Sequence, residues 1–151
     1  MSGRRKSLVR LGLLSVPLAF ALYGAAHDRL WPVPDEFRKM KNPVPKSEAT
    51  LKAAAAIYAD TCSKCHGDTG MGDGPEADMY DPVPASFADA KMMGMMTDGE
   101  LFYKMTEGRK PMPSFKKKLT DEERWQLVHY IREFARKPDP KTPAKTPPRK
   151  H

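Results

Sequence analysis

Five consecutive residues, Cys62-Ser63-Lys64-Cys65-His66, combine two thiols and an imidazole at a spacing that suits one chemical task. Two thiols three positions apart can add to the two vinyl groups of one porphyrin, and the next residue then supplies an axial nitrogen to its iron. Cys62 and Cys65 are the only cysteines of the chain. The pattern predicts one covalently attached haem c, with thioether bonds at Cys62 and Cys65 and with His66 as the proximal iron ligand.

Three other uses of paired cysteines fit the sequence less well. A thioredoxin-like redox pair needs a surrounding βαβ pattern, and the sequence has none. A zinc site needs four ligands, and no second C-x-x-C or H-x-x-x-H pattern supplies the missing two. A plain disulfide would leave His66 without a role. We therefore expect haem attachment.

A methionine between two prolines is the candidate for the second axial position. Met112 lies between Pro111 and Pro113, whose rings keep the backbone stiff and extended. A thioether ligand favours Fe(II) and raises the reduction potential. Met105 falls on a predicted helix and is expected to pack, so Met112 is predicted to be the distal iron ligand.

The remaining soft or nitrogenous ligands have simpler explanations. Four of the ten methionines cluster in residues 92–96, and thioethers can bind Cu(I). No His or Cys joins that cluster, so we expect it to fill an irregular part of the core. His27 and His151 lie outside the predicted domain, and His129 is expected to be a surface or packing residue.

Prolines and charges divide the chain into segments. The 15 prolines concentrate in residues 27–46 and 138–151, which predicts an extended tether and a disordered tail. Residues 47–137 hold 13 basic and 15 acidic residues and are predicted to form one small domain. The net charge of +7 therefore belongs to the ends. No stripe of bases and aromatics indicates nucleic-acid binding.

Residues 1–26 join a cationic start to an apolar run of 16 residues at 11–26. Two interpretations remain open. The run is either a signal peptide cleaved after the small residues 24–26, or a membrane anchor with Trp31 at the interface. Four bases before the run predict that the rest of the chain is exported to the periplasmic side of the cytoplasmic (inner) membrane.

Three helices are predicted, each from its own start signal. Ser47 is a good N-cap, and T-x-x-E capping boxes open the other two helices at Thr97 and Thr120. The first helix leads into the haem motif, whereas Gly108 and Pro138 end the second and third. The predicted apolar face of the first helix consists of Leu51, Ala54, Ala55 and Tyr58.

Residues 67–90, between the first and second helices, are rich in Gly and Asp and are predicted to be a loop. The Asp spacing does not match a calcium-binding loop. A ligating imidazole needs a partner for its second nitrogen. Pro82 and Pro84 are the candidates to supply a carbonyl that orients His66, and the sequence does not choose between them.

With these motifs in place, the chain resembles the class I mono-haem cytochrome c superfamily over residues 47–137. The matching stretches are YADTCSKCHG at 58–67, GRKPMPSF at 108–115 and WQLVHYI at 125–131. The resemblance implies an all-α cytochrome c fold, with three to four helices around one covalently attached haem. It also implies that the first and last helices cross beside the haem.

Two further stretches, NPVP at 42–45 and GMGDGP at 70–75, look like those of bacterial membrane-associated mono-haem cytochromes. Some of those proteins are subunits of quinol-oxidising or terminal oxidase assemblies. The resemblance implies a one-electron carrier in a periplasmic respiratory or photosynthetic chain, with no small-molecule substrate. Two alternatives remain: an anchored subunit of a larger membrane complex, and a haem enzyme or gas-binding protein with an open distal site.

Charged residues beside the predicted haem suggest how redox proteins dock. Asp-rich residues 68–81 form an acidic loop. A polarised surface of this kind steers a redox partner, although a solvated face is the simpler explanation. The basic residues that flank Met112 are Lys104, Arg109, Lys110, Lys116, Lys117 and Lys118.

Overall fold

The computed structural model describes residues 31–135, and that part contains six α-helices, one 3₁₀ helix and no β-strand. The predicted all-α fold is confirmed. The predicted signal peptide or anchor (1–26) and tail (138–151), with His27 and His151, lie outside the described residues. The helices are α1 (Asp35–Arg38), α2 (Glu48–Thr61), α3 (Ser63–His66), α4 (Ala90–Met95), α5 (Asp98–Glu107) and α6 (Asp121–Phe134), and the 3₁₀ helix (Ala77–Met79) lies between α3 and α4.

The three predicted helices begin at their predicted start signals. Ser47, Thr97 and Thr120 are the N-caps of α2, α5 and α6. Each cap side chain accepts a hydrogen bond from the backbone N–H three residues later. In return, the side chain at that position accepts from the N–H of the cap residue, at 2.7–2.8 Å. These reciprocal bonds satisfy amides that a helix start otherwise leaves without partners.

Helices α2 and α6 pack against each other and form the centre of the core. Ala54 of α2 is 0% exposed and Leu127 of α6 is 1% exposed. The ring of Tyr58 lies 5.3 Å from Tyr130 and 5.1 Å from Phe134, between ring centroids. Truncating a side chain as buried as Leu127 to alanine would cost about 2–5 kcal/mol of stability.

The methionine-rich residues 92–96 form most of α4 and the turn into α5. Met93 and Met96 are buried in the core, whereas Met95 is 46% exposed. The Sδ of Met96 also accepts a hydrogen bond from the Lys104 ammonium at 3.3 Å. Met92 is partly buried and packs against the same core, so three of the four methionines take part in core packing, which agrees with the predicted filling role.

Arg132 on α6 ties the end of α4 to the start of α5. Its guanidinium donates to the backbone carbonyls of Met93 at 2.9 Å and Met96 at 2.8 Å, and it pairs with the carboxylate of Asp98 at 2.6 Å. The carbonyls at a helix end have no partner within the helix. Arg132 therefore fixes the α4–α5 corner on α6.

Residues 33–46, predicted as part of the tether, belong to the packed unit. Of the described residues, 33–135 belong to one compact unit. Val33 is buried, and short helix α1 contacts α5, where the Phe37 ring lies 4.7 Å from that of Tyr103. The prolines do prevent a long helix, since α1 has four residues. The packed unit therefore begins before the predicted domain start at residue 47.

Two hydrogen bonds fasten the end of this segment to α6. The side-chain amide of Asn42 donates to the Trp125 carbonyl at 2.9 Å. The imidazole Nε2 of His129 donates to the carbonyl of Val44 at 2.7 Å. His129 is thus a packing residue, as expected, and it holds the segment that leads into α2.

Candidate functional site

The C-x-x-C-H motif begins where α2 ends. Cys62 is the C-cap of α2, and its N–H donates to the Tyr58 carbonyl at 2.8 Å. Cys65 and His66 follow in α3, and the His66 N–H donates to the Cys62 carbonyl at 2.9 Å. Both thiols are free and partly buried. The motif is therefore a continuation of the core helix, which places the two thiols and the imidazole within one turn of backbone.

The imidazole of His66 has one nitrogen committed to the protein. Its Nδ1 lies 3.0 Å from the Ala85 carbonyl, and its ring stacks on Phe87 with centroids 4.4 Å apart. Nδ1–H donating to a carbonyl leaves the lone pair on Nε2, which is the tautomer that a metal ligand needs. Burial lowers the pKa of His66, and the bond to Ala85 opposes that shift. The imidazole therefore stays neutral at neutral pH.

The prediction that Pro82 or Pro84 orients His66 is wrong, because the carbonyl belongs to Ala85. The Pro84 carbonyl lies against Gly72 instead, and a Cβ at Gly72 would lie 2.3 Å from that oxygen. Gly72 has a φ of 78°, a conformation that glycine adopts without strain. The chain therefore presents the next carbonyl along to the imidazole.

The loop after His66 is bound to the motif through its backbone. A Cβ at Gly74 would lie 2.3 Å from the Lys64 carbonyl oxygen, so the loop approaches the motif as closely as glycine allows. Three backbone amides of the loop donate to carbonyls of the motif: Gly72 to His66 at 2.8 Å, Gly74 to Cys65 at 3.2 Å and Glu76 to Lys64 at 2.9 Å. These bonds satisfy carbonyls at the end of α3, which would otherwise lack partners.

Tyr58 supports the same loop from the core. Its hydroxyl donates to the Gly67 carbonyl at 2.8 Å, and the side chain is almost wholly buried. Burial, with a smaller contribution from nearby Cys62, raises the pKa of Tyr58. The hydroxyl therefore remains protonated and continues to donate at neutral pH.

An electrostatic interaction links the segment after Met112 to the motif. Burial raises the pKa of the Cys62 thiol to about 12, and the Lys118 cation partly opposes that rise. Lys118 and Cys62 therefore interact electrostatically, although the two residues are far apart in sequence.

Met112 lies in the loop between α5 and α6, as predicted. Its side chain is partly buried and packs at the margin of the core cluster, which Cys62 and Phe87 also border. The Arg109 N–H donates to the Met112 carbonyl at 2.9 Å and closes a narrow turn. Met105, by contrast, is buried on α5 and packs within the core, as expected.

The same loop is attached to α5 by two further bonds. The Ser114 hydroxyl donates to the Thr106 carbonyl at 2.6 Å, and the Phe115 N–H donates to the Met105 carbonyl at 3.0 Å. Phe115 is itself buried. Met112 is therefore on a loop with fixed ends, although it belongs to no helix.

Arg124 on α6 also contacts this loop, a contact that was not predicted from the sequence. The position had a detectable signal, since Arg124 lies three, four and seven residues before Leu127, Val128 and Ile131 and so places a charge at the start of the apolar stripe. Its guanidinium donates to the carbonyls of Phe115 and Leu119, at 3.3 and 3.0 Å.

The donor set fits a c-type haem. Two free thiols, one neutral imidazole with Nε2 available and one partly buried thioether are the groups such a haem uses. Within residues 31–135, no three His, Cys, Asp or Glu side chains gather into a group that could hold a metal ion. No helix among the described residues has the length and apolar character needed to cross a membrane.

Comparison with known proteins gives the same assignment. Residues 49–131, more than half of the chain, match the family described as Cytochrome C oxidase, cbb3-type, subunit III. A solved chain of the Kuenenia stuttgartiensis reducing HAO-like protein complex is similar, with 30% sequence identity and a TM-score of 0.52. The match covers 73% of this chain and 55% of that chain, so this protein spans about half of that chain's length.

A second solved structure, the KustC0563 c-type cytochrome, is also 30% identical, with a TM-score of 0.49, over 55% of this chain and 98% of that one. A search of curated proteins gave no match. The family match confirms the predicted cytochrome c fold, haem c as cofactor and haem-based electron transfer. The chain belongs to the family of cbb3-type cytochrome c oxidase subunit III, and it is a class I c-type cytochrome.

Proposed function

We propose that this protein carries one electron at a time with a single haem c held between His66 and Met112, on the periplasmic side of the cytoplasmic membrane. When bound, the haem supplies a reversible Fe(III)/Fe(II) couple. The chain supplies two thiols for attachment, two axial ligands and an apolar surrounding. No acid–base pair or substrate pocket is needed for this task.

The observation that carries the proposal is the placement of Met112. It is partly buried at the margin of the core cluster that also borders Cys62, and Lys118 of the same loop interacts electrostatically with that thiol. A loop with fixed ends keeps a ligand in place when the iron changes its charge. A permanent sulfur ligand also leaves no open position for a substrate, which favours a carrier over an enzyme or gas-binding protein.

Replacing Met112 with alanine tests the ligation. We expect Met112→Ala to lose the methionine–iron absorption band of the ferric protein and to lower the reduction potential by on the order of 0.1 V, because axial ligands set that potential. Met79→Ala is the matched control, since Met79 is 68% exposed. An unchanged spectrum in Met112→Ala would show that another group is the distal ligand.

Native mass spectrometry tests the cofactor count and the fate of the N-terminus in one experiment. We expect the mass of the chain plus one haem, bound covalently through Cys62 and Cys65. The same spectrum reports whether residues 1–26 remain. Two haems, or a haem lost on denaturation, would contradict the proposal.

The second candidate is an anchored subunit of a larger redox complex. Its support is the family match to an oxidase subunit, the similarity to a chain of an HAO-like complex and the apolar run at residues 11–26. Purification in mild detergent separates the two candidates. A free carrier runs alone at about its chain mass of 17.0 kDa, whereas a subunit co-migrates with other chains.

A cationic surface beside the motif supports docking of an acidic redox partner. Lys116, Lys117 and Lys118 are all exposed, and Lys118 interacts electrostatically with Cys62. The loop after His66 is acidic instead, with exposed Asp68 and Asp73. Attraction between opposite charges speeds the encounter of two proteins, and this attraction weakens as the salt concentration rises. The surface is therefore polarised around the proposed haem.

Charge reversal tests this surface. Changing Lys116, Lys117 and Lys118 to glutamate should slow electron transfer to an acidic partner and flatten its dependence on salt, whereas changing all three to arginine should preserve both. Equal rates and equal salt dependence in the two triple variants would show that these lysines form only a solvated face.

A further inference from the structure

Arg124 stands apart from the other charged residues of the described part of the chain. It is 2% exposed, and within residues 31–135 it is the only charged residue that is buried. Burying a guanidinium is costly unless its donors find acceptors. The acceptors that Arg124 finds therefore indicate what the burial achieves.

Two of the three acceptors lie on the α5–α6 loop, and the third lies at the start of α6. Nη1 donates to the carbonyls of Phe115 and Leu119, at 3.3 and 3.0 Å, and Nη2 pairs with the carboxylate of Asp121, which is itself exposed. The guanidinium carbon lies 5.2 Å from the centre of the Phe102 ring. Nε has no hydrogen-bond partner among the described residues.

The two carbonyls are at opposite ends of one turn. The N–H groups of Lys118 and Leu119 donate to the Phe115 carbonyl at 3.1 and 2.9 Å, so residues 115–119 form a closed turn. Arg124 binds both ends of that turn from α6. The turn begins three residues after Met112, and Phe115 is also hydrogen-bonded to α5.

We infer that Arg124 is a positioning residue for the distal ligand, which acts through the turn at residues 115–119 and not by touching the haem. This inference rests on the proposed ligation by Met112. If the loop swung away from the haem, the buried guanidinium would lose both carbonyls, and only the carboxylate of Asp121 on α6 would remain as an acceptor. Arg124 therefore favours the arrangement in which Met112 stays in place.

Arg132 provides a matched control on the same helix. It also donates to two backbone carbonyls and pairs with an aspartate, but its contacts are with Met93, Met96 and Asp98 at the α4–α5 corner. Loss of Arg132 therefore removes similar chemistry from α6 without releasing the Met112 loop. The two arginines separate a general loss of stability from a specific loss of ligation.

The test compares Arg124→Gln with Arg132→Gln as haem-loaded proteins. We expect the rate of carbon monoxide binding to the reduced form to rise about tenfold or more in Arg124→Gln, since a charged hydrogen-bond donor is lost. The methionine–iron band should weaken in the same variant. Arg132→Gln should lower the melting temperature yet leave the binding rate near that of the wild type.

Two further variants, Arg124→Lys and Met112→Ala, complete the test. If Arg124→Gln and Arg132→Gln change the binding rate equally, or neither does, the positioning role is wrong. If Arg124→Gln does not fold, Arg124→Lys decides, since it keeps one donor and should bind carbon monoxide at an intermediate rate; a wild-type rate would overturn the inference. Met112→Ala is measured in parallel, and an unchanged spectrum there would refute the ligation itself.

Discussion

The loop that follows His66 and the loop that carries Met112 leave their helices in the same way but are held differently. Gly67 ends α3 with a φ of 77°, and Gly108 ends α5 with a φ of 65°. After Gly67, backbone amides return to carbonyls of the motif itself. After Gly108, three of the bonds that hold the loop come from the side chains of Ser114 and Arg124.

This difference separates two properties of the site. The loop after His66 is part of the attachment motif, so disturbing it should damage haem attachment and folding together. The Met112 loop depends on single side-chain bonds, made by its own Ser114 and by Arg124 of α6, so disturbing it should open the iron while most of the fold persists. The His66 side thus secures the cofactor, and the Met112 side decides whether the protein remains a carrier.

The largest expected effect is on the His66 side, at Gly74. A Cβ there would lie 2.3 Å from the Lys64 carbonyl oxygen and 2.5 Å from that of Ser63, and backbone cannot move aside easily. We expect Gly74→Ala to reduce the free energy of unfolding by about 3 kcal/mol, measured by denaturant titration of the holoprotein.

Gly94→Ala is the control for that substitution. Gly94 is in α4, and nothing lies within 4 Å of the position its Cβ would take. Alanine should therefore stabilise the protein there by about 0.5–1 kcal/mol through helix propensity. If the two variants had the same free energy of unfolding, the loop would not lie as close to the motif as the structure shows.

A smaller effect on the same side is expected at Tyr58. Tyr58→Phe removes the hydroxyl that donates to the buried Gly67 carbonyl, which should cost about 2 kcal/mol of stability. Carbon monoxide binding should not change, because the Met112 loop is untouched. Tyr103→Phe is the control, with an expected change within about 0.5 kcal/mol. Faster gas binding in Tyr58→Phe would show that the two sides are not independent.

The smallest change in stability is expected on the Met112 side, at Ser114. Ser114→Ala removes the bond to the Thr106 carbonyl and should cost about 1 kcal/mol, yet it should speed carbon monoxide binding by roughly fivefold. Ser63→Ala removes an equivalent bond, to the Ala59 carbonyl at 2.8 Å, from the motif instead. If both serine variants bound the gas at the same rate, the contrast between the loops would fail.

Features encoded by neighbouring residues were predictable from the sequence. The haem motif and the N-caps Ser47, Thr97 and Thr120 each depend on residues within a few positions of one another, and the caps begin helices where expected. The placement of Met112 between α5 and α6 followed from those boundaries.

Features that depend on distant contacts were not predictable. Asn42 contacts Trp125 on α6, and nothing in a proline-rich segment indicates that partner. The candidates for the carbonyl that orients His66, Pro82 and Pro84, precede the observed Ala85 by three residues and one residue, because the direction of successive carbonyls depends on how closely Gly72 packs. Arg124 lies at helical spacing before the apolar residues of α6, but only the fold shows which carbonyls its guanidinium reaches.

The most direct test of the central claim is exposure of the reduced wild-type protein to carbon monoxide at neutral pH, followed by absorbance. Ligation of the iron by both His66 and Met112 predicts that the spectrum stays unchanged over minutes. Rapid formation of a carbon monoxide complex would show that the distal position is open. The protein would then be a gas-binding protein or an enzyme, and the carrier proposal would be wrong.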